Sequence, residues 1–118
     1  MLSEKNLQQL RQRLEEERER LQKHIIELSD MLRMEDREIG SGEDDADIAA
    51  RAISYDGLLA LMESEQETLA EVDGALQAMA DGTYGRCVSC GREIELARLE
   101  VRPYARRCIT CQERNARP

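Results

Sequence analysis

The sequence has few of the residues from which sheet-rich cores are built. Its 118 residues include no Phe, no Trp, three Tyr and two Pro. Because β-sandwiches and barrels depend on aromatic and β-branched side chains, this scarcity excludes an all-β fold. Charged residues make up 36% of the chain, which is too many for a conventional packed globule. The abundant Glu, Arg, Leu, Ala and Gln are typical of long helices that bury a narrow apolar stripe.

The sequence also lacks a long apolar run. The longest run spans residues 58–62, whereas a membrane helix needs about 18 or more apolar residues. The first residues, MLSEK, contain no basic segment followed by an apolar stretch, so we expect no secretory signal and a cytoplasmic protein. In a reducing compartment, paired cysteines favour metal binding or redox chemistry over structural disulfides.

The two signs of charge are unevenly distributed. Residues 1–81 carry 21 acidic and 9 basic side chains, a net charge of −12. Residues 82–118 carry 4 acidic and 8 basic side chains, a net charge of +4. An acidic segment repels nucleic acid phosphates, so only the basic C-terminal third could contact DNA.

Two stretches of helical periodicity predict a mainly α fold with a hairpin. The first runs from residue 3 to about residue 38 and the second from about residue 46 to residue 80. The first apolar stripe has seven-residue spacing at Leu7, Leu14, Leu21 and Leu28, with Leu10, Ile25, Met31 and Leu32 beside them. The second stripe has this spacing at Tyr55, Met62, Leu69 and Leu76. Because the connection is short, we predict a long antiparallel coiled-coil hairpin over residues 1–81.

All four cysteines fall in residues 82–118, where the helical periodicity stops. Cys87 and Cys90 form one Cys-x-x-Cys pair, Cys108 and Cys111 form a second, and 17 residues separate the two pairs. This spacing predicts a small four-cysteine (C4) zinc finger with one structural Zn²⁺. Four protein ligands leave no open coordination position for a catalytic water. We also predict a short C-terminal helix that begins near Tyr104.

The cysteines admit two other interpretations. Iron fits the same four ligands. A pair of redox dithiols is less favoured, because a thiol oxidoreductase has a single Cys-x-x-Cys in a βαβ context that this sequence lacks. Gly91, directly after the first pair, suits the tight turn of a metal knuckle.

The basic third also suggests a DNA-binding finger, with the coiled coil as a dimerisation arm. Six arginines are candidates for phosphate contacts: Arg86, Arg92, Arg98, Arg102, Arg106 and Arg107. They could instead face solvent or pair with the neighbouring Glu93, Glu95 and Glu100. A further alternative is a structural adaptor whose acidic hairpin binds some other basic cleft. Nothing indicates an enzyme, since the single histidine, His24, has no evident nucleophile or carboxylate partner by sequence spacing.

The turn of the predicted hairpin is strongly acidic, with carboxylates at Glu43, Asp44, Asp45 and Asp47. Capping of the second helix and its dipole explain one or two of them, at about 0.3–1 kcal/mol each. The others suggest an acidic tip, near residues 40–49, that is presented to a partner.

The tip and the finger together resemble the DksA/TraR family of bacterial transcription regulators. The tip is similar to the family's Asp-x-x-Asp-x-Ala motif, at Asp44, Asp47 and Ala49. Residues 84–111, from Tyr-Gly-Arg-Cys to Cys-Ile-Thr-Cys, are similar to its zinc-finger signature. The resemblance covers about residues 5–117. The chain starts close to the first helix, so we expect no contacts from an N-terminal extension.

The resemblance implies a function without covalent chemistry. The protein would bind RNA polymerase as a monomer through the secondary channel and present Asp44, Asp47 and Ala49 near the catalytic centre. The finger and the C-terminal helix would rest against the channel rim. Such a regulator acts by its difference in affinity between promoter-complex states. No sequence-specific DNA binding and no membrane partner are expected.

The resemblance also raises the alarmone ppGpp as a ligand. Arg98 and Arg102 match basic groups that contact ppGpp or the polymerase rim in responsive members. Gln112 stands where the resemblance expects a lysine, and Glu71 replaces a basic position of the second helix. We therefore expect ppGpp to act weakly or not at all.

Overall fold

Four helices make up most of the chain. The computed structural model describes the backbone of residues 2–38 and 45–116, and the side chains of residues 2–34 and 54–115. The helices are α1 (Glu4–Glu38), α2 (Asp45–Asp81), α3 (Leu96–Val101) and α4 (Ile109–Ala116). In these described ranges the only extended pairing is an isolated antiparallel bridge between Arg86 and Glu93. None of the described helices has the length and apolar character that crossing a membrane requires.

The first predicted helix begins one residue later than expected, and its start has a local cause. The Ser3 hydroxyl accepts a hydrogen bond from the Asn6 backbone N–H at 3.1 Å. This N-cap satisfies one of the backbone donors that the first turn leaves unpaired. Glu4, in that first turn, complements the positive end of the helix dipole.

The chain forms two compact units. The first unit contains Met1–Glu19 and Ala70–Pro118, and the second unit contains Arg20–Leu69. The first unit therefore includes residues from both sides of the boundary predicted at residue 82, and the division into 1–81 and 82–118 stays a prediction.

In the second unit, α1 buries the stripe that its heptads predicted. Leu21, Leu28 and Leu32 are buried, whereas Met31, which we expected beside them, is 50% exposed. The prediction for Met31 was wrong because Leu28 and Leu32, four residues apart, already occupy the buried face. Met31 lies about 100° around the helix from Leu32, since the α-helix has 3.6 residues per turn.

In the first unit, α1 and α2 pack side by side in opposite directions. Arg18 Nε lies 3.7 Å from Asp73 Oδ1, and Met79 packs against the cluster that contains Leu10. Since the lower-numbered residue of α1 meets the higher-numbered residue of α2, the pair is antiparallel. Among the described side chains of α2, Val72 and Ala75 are buried, and Leu76 of the predicted stripe is only partly buried.

The cysteine-rich segment packs on α1 through a small core of its own. Buried residues of this core are Leu10, Cys87, Ile94, Leu99, Ala105 and Cys111. Helix α3 was not predicted, and its Leu99 is completely buried. The short helix holds that leucine against α1.

The C-terminal helix begins at Ile109, not near Tyr104 as predicted. Two carbonyls that a longer helix would use internally are taken by other parts of the finger. The Arg106 carbonyl accepts a hydrogen bond from the Val88 N–H at 2.9 Å, and the Arg107 carbonyl accepts one from Arg98 Nε at 3.0 Å. The segment before Ile109 therefore stays in turns.

Candidate metal centre

The four cysteines come together in the first unit. Their sulfur atoms all lie within 4.8 Å of one another, and Cys90 Sγ lies 3.8 Å from Cys108 Sγ. A tetrahedral zinc with Zn–S bonds of about 2.3 Å places neighbouring sulfurs about 3.8 Å apart. The four-sulfur cluster, predicted from the Cys-x-x-Cys spacing, therefore fits one structural zinc ion.

Glycines shape the turn that carries the first cysteine pair. Gly85 and Gly91 have φ of +86° and +76°, in the left-handed region that favours glycine. The Gly91 N–H donates to the Cys87 carbonyl at 2.9 Å, and the Cys87 N–H donates to the Arg92 carbonyl at 2.8 Å. These bonds close the knuckle that the position of Gly91 predicted.

A helix carries the second pair. Cys108 immediately precedes α4, and Cys111 lies in its first turn. The Gln112 N–H donates to the Cys108 carbonyl at 2.9 Å, the first bond of that helix. Both sulfurs of this pair therefore reach the cluster from the start of α4.

The electrostatics of the cluster favour a cation. Burial raises the pKa of the Cys87 thiol, but N–H groups of Cys108, Cys90 and Ser89 and the Cys111 thiol donate to its sulfur and lower its pKa to about 6. The pKa of Cys111 is raised to about 12, mainly because its thiol donates to Cys108 and Cys87. The sulfurs thus compete for protons, and a bound dication removes this competition by favouring all four thiolates.

The cluster joins the small core to the surface. Cys87 and Cys111 are buried in the core, Cys90 is exposed and Cys108 is half-buried. A metal held by all four would tie an exposed loop to buried residues, which is a structural role.

Two long-range hydrogen bonds fix the finger, one within it and one to α1. The Tyr84 hydroxyl donates to the Pro103 carbonyl at 2.7 Å, and Arg13 Nη1 of α1 donates to the Glu100 carbonyl at 2.5 Å. Burial raises the pKa of Tyr84 to about 12, although the nearby Arg13 charge acts in the opposite direction. No local sequence pattern predicts the role of Arg13, because Arg13 and Glu100 are 87 positions apart.

Arg98 and Arg102, the predicted contacts for ppGpp or the polymerase rim, lie in one groove, which we call the arginine groove. It has a volume of about 430 Å³ and is lined by Glu71, Val88, Arg98, Arg102, Tyr104, Ala105, Arg106, Arg107 and Gln112. The groove therefore brings Arg98 and Arg102 together with Glu71 and Gln112, the two positions where the resemblance leads us to expect basic residues.

Several groove arginines also have structural contacts. Arg98 Nε donates to the Arg107 carbonyl, and Arg107 Nε donates to the Ser89 hydroxyl at 3.3 Å. The Arg102 guanidinium lies over the Tyr104 ring, 5.6 Å from its centroid. These contacts orient the arginines and leave the groove basic except at Glu71.

Sequence spacing shows no carboxylate partner for His24, but the structure places one beside it. Its Nδ1 lies 3.1 Å from Glu65 Oε1, so the histidine does have a carboxylate partner, on the other long helix. The side chains of the predicted acidic tip lie outside the described residues. Asp44 lies outside the described residues, and the side chains of Asp47 and Ala49 lie outside the described part of α2.

Two comparisons with known proteins identify the family of this chain. Residues 82–115 match the prokaryotic dksA/traR C4-type zinc finger. The solved structure of transcription factor DksA2 from Pseudomonas aeruginosa is 34% identical, covers 96% of this chain and 84% of its own, and has a TM-score of 0.80. The chain belongs to the DksA/TraR family. Its predicted fold class, a helical coiled coil with a C4 zinc finger, is thereby confirmed, as is one structural zinc.

Curated proteins match this chain over shorter stretches. RNA polymerase-binding transcription factor DksA of Caulobacter vibrioides is 41% identical over 78 residues, which are 64% of this chain and 55% of that protein. General stress protein 16O of Bacillus subtilis is 52% identical over 50 residues, which are 42% of this chain and 31% of that protein. The matched part thus spans about a third to a half of these relatives.

Proposed function

We propose that this protein is a cytoplasmic transcription regulator that binds RNA polymerase and has no enzymatic activity of its own. The observation that carries the proposal is the likeness to DksA2, at 34% identity over 96% of this chain. The names of DksA relatives, such as that of Caulobacter vibrioides, describe binding to RNA polymerase. The four cysteines, as the zinc ligands, would maintain the fold of the binding surface.

The charge distribution supports a division of roles between the two parts of the chain. The coiled coil would enter the secondary channel and present the tip residues Asp44, Asp47 and Ala49 near the catalytic centre. The basic finger would contact the channel rim, because its net charge of +4 suits an acidic surface. Regulation then follows from different affinities for successive promoter complexes.

The alternative DNA-binding finger with a dimerising arm has less support. The leucines of the α1 stripe from Leu10 to Leu32 are buried within a single chain, so they are not available to a second chain. Helix α3 has six residues and α4 has eight, with Arg114 as the basic residue of its last turn. Neither resembles a recognition helix for the major groove. We propose a monomer without sequence-specific DNA binding.

We also propose that ppGpp has little effect. The arginine groove offers Arg98 and Arg102 to an anion, but the same groove contains the Glu71 carboxylate. A carboxylate in a phosphate site repels the ligand by the same Coulomb interaction through which the arginines attract it.

The experiment that tests the proposal is binding of the zinc-loaded protein to purified core RNA polymerase. A labelled DksA relative serves as the competitor, and light scattering records the mass of the free protein. We expect saturable competition and a mass of 13.5 kDa. Failure to compete at any concentration would overturn polymerase binding, and a stable dimer that binds duplex DNA would support the alternative.

A further inference from the structure

Gly74 of α2 leaves a notch that the side chain of Arg106 occupies. A methyl carbon placed on Gly74 would lie 2.7 Å from Arg106 Nη1 and 3.4 Å from Arg106 Cζ. No real side-chain carbon makes a contact of 2.7 Å, so the guanidinium occupies the space that a side chain at residue 74 would take. The notch therefore depends on glycine.

Backbone conformation does not explain this glycine. The described glycines with positive φ are Gly82, Gly85 and Gly91, so Gly74 has an ordinary helical backbone that alanine also adopts. Glycine in a helix interior is unfavourable relative to alanine. What Gly74 provides is space for Arg106.

Arg106 connects the finger to α2, because its backbone is bonded within the finger and its side chain lies against α2. Its carbonyl accepts the Val88 N–H at 2.9 Å, which ties it to the first cysteine pair. Arg106 lines the arginine groove and also a second, mostly apolar cavity of about 260 Å³ beside Ala75 and Tyr84. Arg106 therefore lies where α2 and the two cavities meet.

We propose that Gly74 is a positioning residue for polymerase binding: its notch holds the Arg106 guanidinium on α2 and so sets the basic surface of the arginine groove. This inference rests on the proposed function, since it assigns the groove to the surface that contacts polymerase. Arg106 supplies a cation for an acidic group of the partner, and Gly74 fixes where that cation lies.

The contact between Gly74 and Arg106 positions the guanidinium more than it stabilises the fold. The atom nearest to the added methyl carbon, Nη1, is at the end of a long side chain that can rotate away. Alanine at position 74 would thus displace the guanidinium without breaking the helix. The variant should fold, with the basic group moved out of the groove wall.

Gly57 provides a matched control in the same helix. A methyl carbon placed there meets no atom within 4 Å. Gly57→Ala and Gly74→Ala both replace an interior helix glycine, so each should raise Tm by a few degrees. A difference between them in polymerase affinity therefore reports the notch and not helix stability.

The test measures polymerase affinity by competition for four zinc-loaded proteins: G57A, G74A, R106A and the double variant G74A/R106A. We expect G74A and R106A each to weaken binding about tenfold, which is typical of removing one well-placed interfacial arginine. The double variant should bind like R106A alone, because the notch acts only through Arg106. G57A should bind like the wild type.

An NMR measurement without polymerase tests the contact between Gly74 and Arg106 separately from its role in polymerase binding. In the wild type, a nuclear Overhauser contact should join the Gly74 α-protons to the Arg106 side chain, and G57A should retain it. Absence of this contact, or a G74A variant that binds polymerase like G57A, would overturn the positioning role. If the wild type shows the contact but does not bind polymerase, the proposed function fails and the role in binding fails with it.

Discussion

The guanidinium of Arg13, in α1, donates a hydrogen bond to the main-chain carbonyl of Glu100 near the end of α3. The last carbonyls of a helix have no partner within it, and a cation there also complements the helix dipole. A single side chain thus attaches the unpredicted helix α3, and with it the buried Leu99, to the long helix α1.

Replacing Arg13 by alanine should therefore lower the free energy of unfolding of the first unit. We expect a loss of about 1 kcal/mol, because the bond is charge-assisted but lies at the surface. Urea unfolding measures it, with the neighbouring Arg11→Ala as the control. Equal stability of the two variants would show that the contact does not attach α3.

Removal of zinc should unfold the finger. Binding of structural zinc contributes about 10–16 kcal/mol to the folding of small zinc domains at neutral pH. We expect one zinc per chain by elemental analysis, and loss of amide protection in residues 82–116 after chelation. A finger that keeps its hydrogen-exchange protection without metal would contradict a structural role.

Leu21 and Leu69 should differ in their importance for stability. Leu21 is buried, whereas Leu69 is only partly buried. Leu21→Ala should cost about 2–5 kcal/mol, and Leu69→Ala less than Leu21→Ala. Met31→Ala, at an exposed site of α1, should change stability by less than about 0.5 kcal/mol. Thermal unfolding of the three variants measures these differences, and equal losses would contradict the observed burial.

The response to ppGpp should depend on two residues of the arginine groove. The wild type should show little potentiation, because Glu71 repels phosphates and Gln112 is uncharged. Glu71→Lys combined with Gln112→Lys should increase the effect of ppGpp in the polymerase complex, since both changes add cations beside Arg98 and Arg102. Titration of ppGpp into an assay of promoter-complex lifetime measures this. A large, saturable response of the wild type would refute the prediction.

The tip should control activity and not affinity. Asp→Asn keeps the size and most of the capping ability of the side chain but removes its charge. The variant D44N/D47N should bind polymerase with nearly wild-type affinity and leave the lifetime of a sensitive promoter complex unchanged. Cys87→Ser should abolish binding itself, because the finger loses its fold. Full regulation by the tip variant at saturating occupancy would mean that the two aspartates only cap α2.

Features that depend on short sequence spacings could be predicted from the sequence. Two Cys-x-x-Cys pairs specify a four-sulfur cluster because each pair already places its sulfurs on one turn. Leucines at sevens likewise define one face of α1, and Leu14 and Leu21 are buried as the spacing predicts. Such local geometry is the same in any tertiary context.

Tertiary packing determined the features that sequence periodicity does not predict. It buried Val72 and Ala75 in α2 while leaving Leu76 partly exposed, and it delayed the start of α4 to Ile109 by using the Arg106 and Arg107 carbonyls in the finger. It also gathered residues of α2, α3 and α4 into one basic groove. Periodicity specifies which face of a helix is apolar. Only packing specifies where a third element meets that helix, and hence which side chains share a site.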